Sequence, residues 1–184
     1  MFNDLIHSFF GDKYQTGLIL VSKSELSAKA KMRVKNNYYF SKKKYMKGSL
    51  TFAMIKPDTF KNDHTSEILF EILKAGFKIR AIKITMLTRD KAEQFYSEHR
   101  GKEFFERLVI FMSSGPVMPL VLEKPDAVNE FRKLIGKTDP MQADEGTIRK
   151  KFGTSTSLNA VHGSDSDEHA EREWAFFFSR REIH

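Results

Sequence analysis

The sequence predicts an α/β (α+β) fold, a small sheet covered by helices, on three observations. Short apolar runs rich in β-branched residues alternate along the chain with segments whose apolar residues recur at helical spacing. Glycines stand where two of those helices should end, at Gly76 and Gly136. The chain has 184 residues, 40% of them apolar, which suits one domain with a tail and an ordinary core.

The elements follow in order. Residues 50–56 read as a buried strand stopped by Pro57-Asp58. Residues 66–74 read as a helix, because Ile68, Leu69, Ile72 and Leu73 share a face. Residues 77–87 read as one long strand. Its apolar positions change from odd (Phe77, Ile79, Ala81) to even (Ile82, Ile84, Met86), which predicts a bulge or a change of packing partner. Residues 89–98 and 102–112 are two helical patterns parted near Gly101. Residues 116–122 are another apolar strand, and Pro119 inside it argues for an edge or bulged position. Residues 127–135 form a helix ended by Gly136, and residues 138–152 a polar loop with a short helical piece. Ser166 is suited to cap a last helix, with Asp167 and Glu168 opposing the dipole in its first turn.

Composition excludes several classes. There is no cysteine, so no disulfide framework, zinc-thiolate site or thiol nucleophile. No run approaches the ~18 apolar residues of a membrane span. The formal charge of +7 suggests an anionic partner until it is mapped. Residues 1–47 hold ten Lys/Arg against three acids, whereas residues 48–184 hold 21 of each. All the excess therefore lies in the first 47 residues, which divides the chain into a basic N-terminal extension (1–47) and a neutral domain (48–184). In the extension, Tyr38, Tyr39, Phe40 and Tyr45 flank the Lys42-Lys43-Lys44 cluster. Three readings stand: an arm for nucleic acid or membrane, an organellar transit segment, or a leader unrelated to the domain, which would start at Met46.

The segment Asn159-Ala160-Val161-His162-Gly163-Ser164-Asp165-Ser166 is the most informative for chemistry. Two apolar residues lead into His162, a candidate nucleophile or general base; the plainer alternative is a His packed in a turn. Gly163 gives backbone freedom and close ligand approach, and the following helix start offers N–H groups suited to phosphate. Lys56 ends the first strand, where charged residues of α/β folds often meet ligands, or it is simply solvated. Arg132 and Arg149, with Thr138 between them, have the chemistry of an anion clamp, or are surface charge. Phe104-Phe105, near Leu108, offers a ring to stack on a base, or core packing.

Taken together, four strings in this order resemble the nucleoside diphosphate kinase family: Thr51-Phe52-Ala53-Met54-Ile55-Lys56-Pro57-Asp58, Phe111-Met112-Ser113-Ser114-Gly115-Pro116, Gly146-Thr147-Ile148-Arg149 and the His162 segment. The resemblance runs from about residue 49 to the end. It implies a ferredoxin-like antiparallel sheet with helices on one face. It implies ping-pong transfer of a γ-phosphoryl group from a nucleoside triphosphate such as ATP to a nucleoside diphosphate, with broad base tolerance and Mg²⁺ carried by the nucleotide phosphates.

By the same resemblance, His162 is the nucleophile that becomes phosphohistidine, Glu173 orients it, and Ser164 belongs to that network. Lys56, Tyr96, Arg132, Thr138 and Arg149 match the shell around the phosphates, and Asn159 the residue that binds ribose hydroxyls. Phe104 matches the base-stacking ring, with Leu108 beside it. A homo-oligomer, tetramer or hexamer, is implied, in the cytoplasm, or in an organelle if residues 1–47 are a transit segment; nucleic acid would be met only through that arm. The sequence departs from the pattern at Asp63, where the family often has Gly, and at Thr156, which replaces an apolar residue flanking the base.

Overall fold

The structure is a computed structural model that describes residues 48–184. The basic extension, with every reading of its Tyr and Lys clusters, lies outside the described residues. The elements run β1 (Leu50–Ile55), α1 (Pro57–Lys61), α2 (Thr65–Lys74), β2 (Lys78–Ile82), β3 (Thr85–Met86), α3 (Arg89–Phe95), a 3₁₀ turn (Ser97–His99) and α4 (Phe105–Met112). They continue with β4 (Pro116–Glu123), α5 (Ala127–Ile135), α6 (Ile148–Phe152), β5 (Val161–Gly163) and α7 (Asp167–Phe177). The strands pair antiparallel in the order β2-β4-β1-β5, with β3 also on β4. The expected antiparallel sheet with covering helices is therefore present.

Helices cover both faces, not one. Ala53 and Ile55 of β1 and Leu120 and Leu122 of β4 bury against Ile68, Ile72, Phe131 and Ile135 of α2 and α5. Phe52, Met54, Val117 and Val121 bury on the other side, against Ala92, Val109, Met112 and Trp174 of α3, α4 and α7. A strand buried on both faces has no need of polar alternation, which is why β1 and β4 read as continuous apolar runs.

Pro119 does not sit at an edge. It lies inside β4, a central strand, opposite Met54 of β1. In an antiparallel strand the N and O of one residue point to the same side. Lys83 N donates to Pro119 O across the β2/β3 side (3.3 Å), so the proline nitrogen also faces that side. The ladder is broken there, between Ile82 and Thr85, so the missing N–H costs no strand bond.

The long strand expected over 77–87 is two strands, with the anticipated bulge as a register shift between Ile79 and Ala81. The even-numbered set Ile82, Ile84 and Met86 is exposed in the described chain. Leu73 is likewise exposed, although its partners Ile68 and Ile72 are buried. The helix expected from residue 102 starts at Phe105, and the one expected to reach 98 passes into the 3₁₀ turn. Gly76 and Gly136 take φ of 84° and 80° just past their helices, a conformation glycine adopts without strain. Ser166 caps α7 by accepting the His169 N–H (3.1 Å). Strand β5 was not legible as a strand; the sequence suggested only a turn that opens a helix.

Candidate active site

His162 is the middle residue of β5, held opposite Met54 of β1. Its Nε2 lies 3.0 Å from Glu173 Oε2, a carboxylate on the inner side of α7. Ser164 Oγ donates to the same oxygen. Glu173 is seven residues into α7, so two helical turns bring its side chain back beside β5. A carboxylate only accepts, so Nε2 carries the hydrogen and the Nδ1 lone pair is left free. The imidazole is walled by the rings of Phe52, Phe95 and Tyr96, with centroids 5.9, 5.4 and 6.0 Å away.

Cations gather beside this ring. Lys56 is buried, with Nζ 2.6 Å from Asn159 Oδ1. Burial, and then the Arg149 charge, lower its pKa to about 8 against a smaller raising effect of Asp58. Arg149 is buried too and donates to Gly136 O (3.0 Å) and Val161 O (3.1 Å), while its buried Nε has no partner. Burial, followed by the nearby Arg132, lowers its pKa to about 10, which keeps it charged at neutral pH. The Tyr96 hydroxyl is buried and also unpartnered. Burial, then the charge of Glu173, raise its pKa, so it stays a proton-bearing donor. Cations that repel one another, with buried donors that no protein acceptor meets, suit the oxygens of a phosphate chain.

Asn159 ties the loops together. Its Nδ2 donates to Thr138 O (3.0 Å) and Thr156 O (2.9 Å), and its Oδ1 accepts from Lys56. Next to it Ala160, fully buried, takes φ of 66°, and Val161 N donates to Asn159 O (2.7 Å). That is a γ-turn of the rare, strained left-handed kind. Asp63 adopts φ of 58°, so it supplies the glycine-like conformation at its position, which an Asp tolerates.

The predicted residues therefore meet. Lys56, Tyr96, Arg149, Asn159, His162, Ser164 and Glu173 form one connected group. Arg132 is exposed and adjoins it through its charge on Arg149, and Thr138 through its carbonyl. Phe104 is 40% exposed at the start of α4 and joins the group by a ladder of rings, Phe104 to His99 (5.5 Å) to Tyr96 (6.1 Å). Leu108, one turn on, is buried in the cluster that holds Tyr96. Thr156 is exposed in the loop between α6 and β5.

Two expectations change. Gly163 has no positive φ; a Cβ there would meet Phe131 at 2.8 Å, so the glycine lets β5 approach α5. At the start of α7 the Ser166 hydroxyl accepts the His169 N–H, and Asp167 and Glu168 put negative charge in the first turn, which disfavours a phosphate there. Sequence reasoning missed His99, Asp58 and the turn at Ala160. His99 stands three residues after Tyr96, a 3₁₀ spacing that stacks their rings. Among the described residues no group of three His, Asp or Glu is placed to hold a metal ion, and no helix is long and apolar enough to cross a membrane.

Comparison with known proteins agrees. The family model described as nucleoside diphosphate kinase matches residues 49–183. A nucleoside diphosphate kinase of Flavobacterium psychrophilum is 54% identical over 132 residues, 72% of this chain and 95% of that one. Nucleoside diphosphate kinase 1 of Protochlamydia amoebophila is 49% identical over 138 residues, 75% and 98% of the two chains. Among solved structures, the Aquifex aeolicus nucleoside diphosphate kinase superposes with a TM-score of 0.72 at 42% identity, covering 74% of this chain and 99% of that one. A halophilic relative from Halobacterium salinarum, solved in complex with CDP, gives a TM-score of 0.71 at 37% identity, covering 74% and 91%.

Proposed function

Because this chain belongs to the nucleoside diphosphate kinase family and transfers phosphoryl groups between nucleotides, we propose the following division of labour among its residues. Nδ1 of His162 attacks the γ-phosphorus of a nucleoside triphosphate. The N–P bond forms as the bond to the β-phosphate oxygen breaks, and the diphosphate leaves with that electron pair. A second diphosphate then takes the phosphoryl group from His162 in the reverse step. The observation that carries this reading is the His162–Glu173–Ser164 chain, which frees Nδ1 beside a basin of under-partnered donors.

Glu173 holds the Nε2 hydrogen and balances the positive charge that grows on the ring during attack. Lys56, Arg149, Arg132 and the Tyr96 hydroxyl meet the charge spread over the phosphoryl oxygens. Thr138 and Asn159 hold the phosphate and ribose side, and Asn159 keeps Lys56 in place. Phe104 stacks on the base, with Leu108 supporting that wall; a stacking contact is common to all bases, which supports broad tolerance. The donors facing the phosphates are cationic or neutral, which fits Mg²⁺ held by the nucleotide rather than by the protein. When bound, Mg²⁺ neutralises phosphate charge and orients the γ-group.

The domain is assigned to residues 48–184, supported by its balanced charge and the family match from residue 49. A homo-oligomer, tetramer or hexamer, in the cytoplasm completes the proposal; light scattering reads the oligomer. Nucleic-acid binding through the N-terminal 47 residues would be read as affinity that falls steeply with salt and vanishes when residues 1–45 are deleted. Incubation with γ-labelled ATP tests the central step: wild type should carry an acid-labile, base-stable phosphate and His162→Gln none. Label retained by His162→Gln overturns the assignment.

A further inference from the structure

We propose that Asp58 is a positioning residue for the phosphoryl transfer, because its carboxylate holds the strained turn at Ala160 that aims Asn159, Val161 and His162 into the site. The inference rests on the role given to His162 above. Asp58 lies in the first turn of α1, where Pro57 fixes the backbone before it. Its Oδ2 accepts the Ala160 N–H at 3.1 Å across the fold. From the other side, Lys56 N donates to Ala160 O at 2.9 Å. Ala160 is thus clamped by both of its backbone groups at φ of 66°, a conformation that alanine does not hold unaided.

The turn is where the site's groups diverge. Before it, Asn159 reaches Lys56, Thr138 and Thr156. After it, the Val161 carbonyl receives Arg149, and His162 follows on β5. Releasing the Ala160 N–H would orphan a buried donor and let the turn relax, moving His162 relative to the phosphate donors. Displacements of this kind weigh on rate because transfer needs the nucleophile and phosphorus in line.

The role makes hydrogen-bond acceptance the requirement, not negative charge, so Asp58→Asn is the conservative rescue and Asp58→Ala the loss. The experiment uses the full chain and measures single-turnover phosphorylation at saturating ATP. In parallel, the ¹⁵N shifts of the His162 ring are recorded without nucleotide. Asp58→Ala should slow phosphorylation by roughly 10- to 100-fold and shift the His162 ring signals. Asp58→Asn should stay within about threefold of wild type with unshifted signals. An unchanged rate in Asp58→Ala, or a loss in Asp58→Asn as large as in Asp58→Ala, overturns the proposal. Should Asp58→Ala fail to fold, a tenfold or greater loss in folded Asp58→Asn still overturns it, and retention supports it. Wild type without phosphohistidine would instead refute the role of His162, while the ring shifts still report on Asp58.

Discussion

Replacing Glu173 by Gln should lower the rate of phosphoryl transfer about tenfold while leaving nucleotide affinity near its wild-type value. Two donors converge on Glu173 Oε2: His162 Nε2 at 3.0 Å and the Ser164 hydroxyl. A hydrogen bond to a charged group contributes about 1.5–3 kcal/mol and a neutral one about 0.5–1.5. The amide therefore gives up on the order of 1.5 kcal/mol of support as positive charge develops on the ring, which is about a factor of ten in rate. The amide oxygen still accepts from Nε2, so the tautomer with a free Nδ1 persists, and Gln should be milder than Ala. Glu173 touches the ring and not the phosphate donors, so the effect belongs to kcat. The assay is single-turnover labelling from γ-labelled ATP with nucleotide affinity measured separately by calorimetry. A variant with wild-type rate, or one whose defect lies wholly in affinity, would refute the reasoning.

Three further outcomes follow from the geometry. Lys56, with its pKa lowered to about 8, loses its proton in the free protein above that pH. KM for ATP should therefore rise as pH passes about 8, and a Lys56→Met variant should bind weakly with no such inflection; a flat wild-type profile from pH 7 to 9 would contradict the assignment. The sign for stability is separate: the folded pKa lies below the ordinary 10.5, so the unfolded chain holds the proton more tightly and this burial penalty fades as pH rises from about 8 toward 10.5. Phe104→Ala should raise KM by roughly 10- to 100-fold, since stacking contributes about 1–3 kcal/mol per base, and should do so similarly for purine and pyrimidine nucleotides in steady-state assays. Gly163→Ala places a Cβ 2.8 Å from Phe131 and should cost about 1–3 kcal/mol in urea unfolding through overpacking; a midpoint equal to wild type would show that α5 yields freely.

Much of this was legible in the chain because the informative residues carry local rules. Gly76, Gly136 and Ser166 mark helix ends through backbone conformation and capping alone, and they fell where expected. The resemblance singles out His162 and Lys56 within strings specific in order and content and Glu173 outside them, and the structure pairs His162 with Glu173. What escaped depends on partners distant in sequence. Strand β5 has three residues, too few for any period, and exists because β1 offers it a ladder. Pro119 was misplaced because a proline's tolerance in a sheet depends on the neighbouring strand, here interrupted at residues 83–84. The purpose of Gly163 lies in Phe131, thirty-two residues away in the chain.

Charge gives the sharpest instance of that divide. The formal +7 is the most conspicuous number in the sequence, and all of it belongs to residues 1–47. The domain that carries the site is balanced, 21 basic residues against 21 acidic. On the proposed assignment, its capacity to hold a polyphosphate comes from where a few charges are put. Lys56 and Arg149 are desolvated, the charge of Arg149 pushes the pKa of Lys56 down, and the buried Arg149 Nε keeps no partner. In water such charges would be screened within about 10 Å. Buried, each would interact far more strongly with a phosphate that reaches it. A salt titration separates the two sources: the family's transfer reaction should be only weakly salt-dependent, because Lys56 and Arg149 are buried, whereas polyanion binding by the first 47 residues should fall steeply. A transfer rate as salt-sensitive as the binding of a polyanion to that extension would mean that exposed charge, and not the buried basin, recruits the nucleotide.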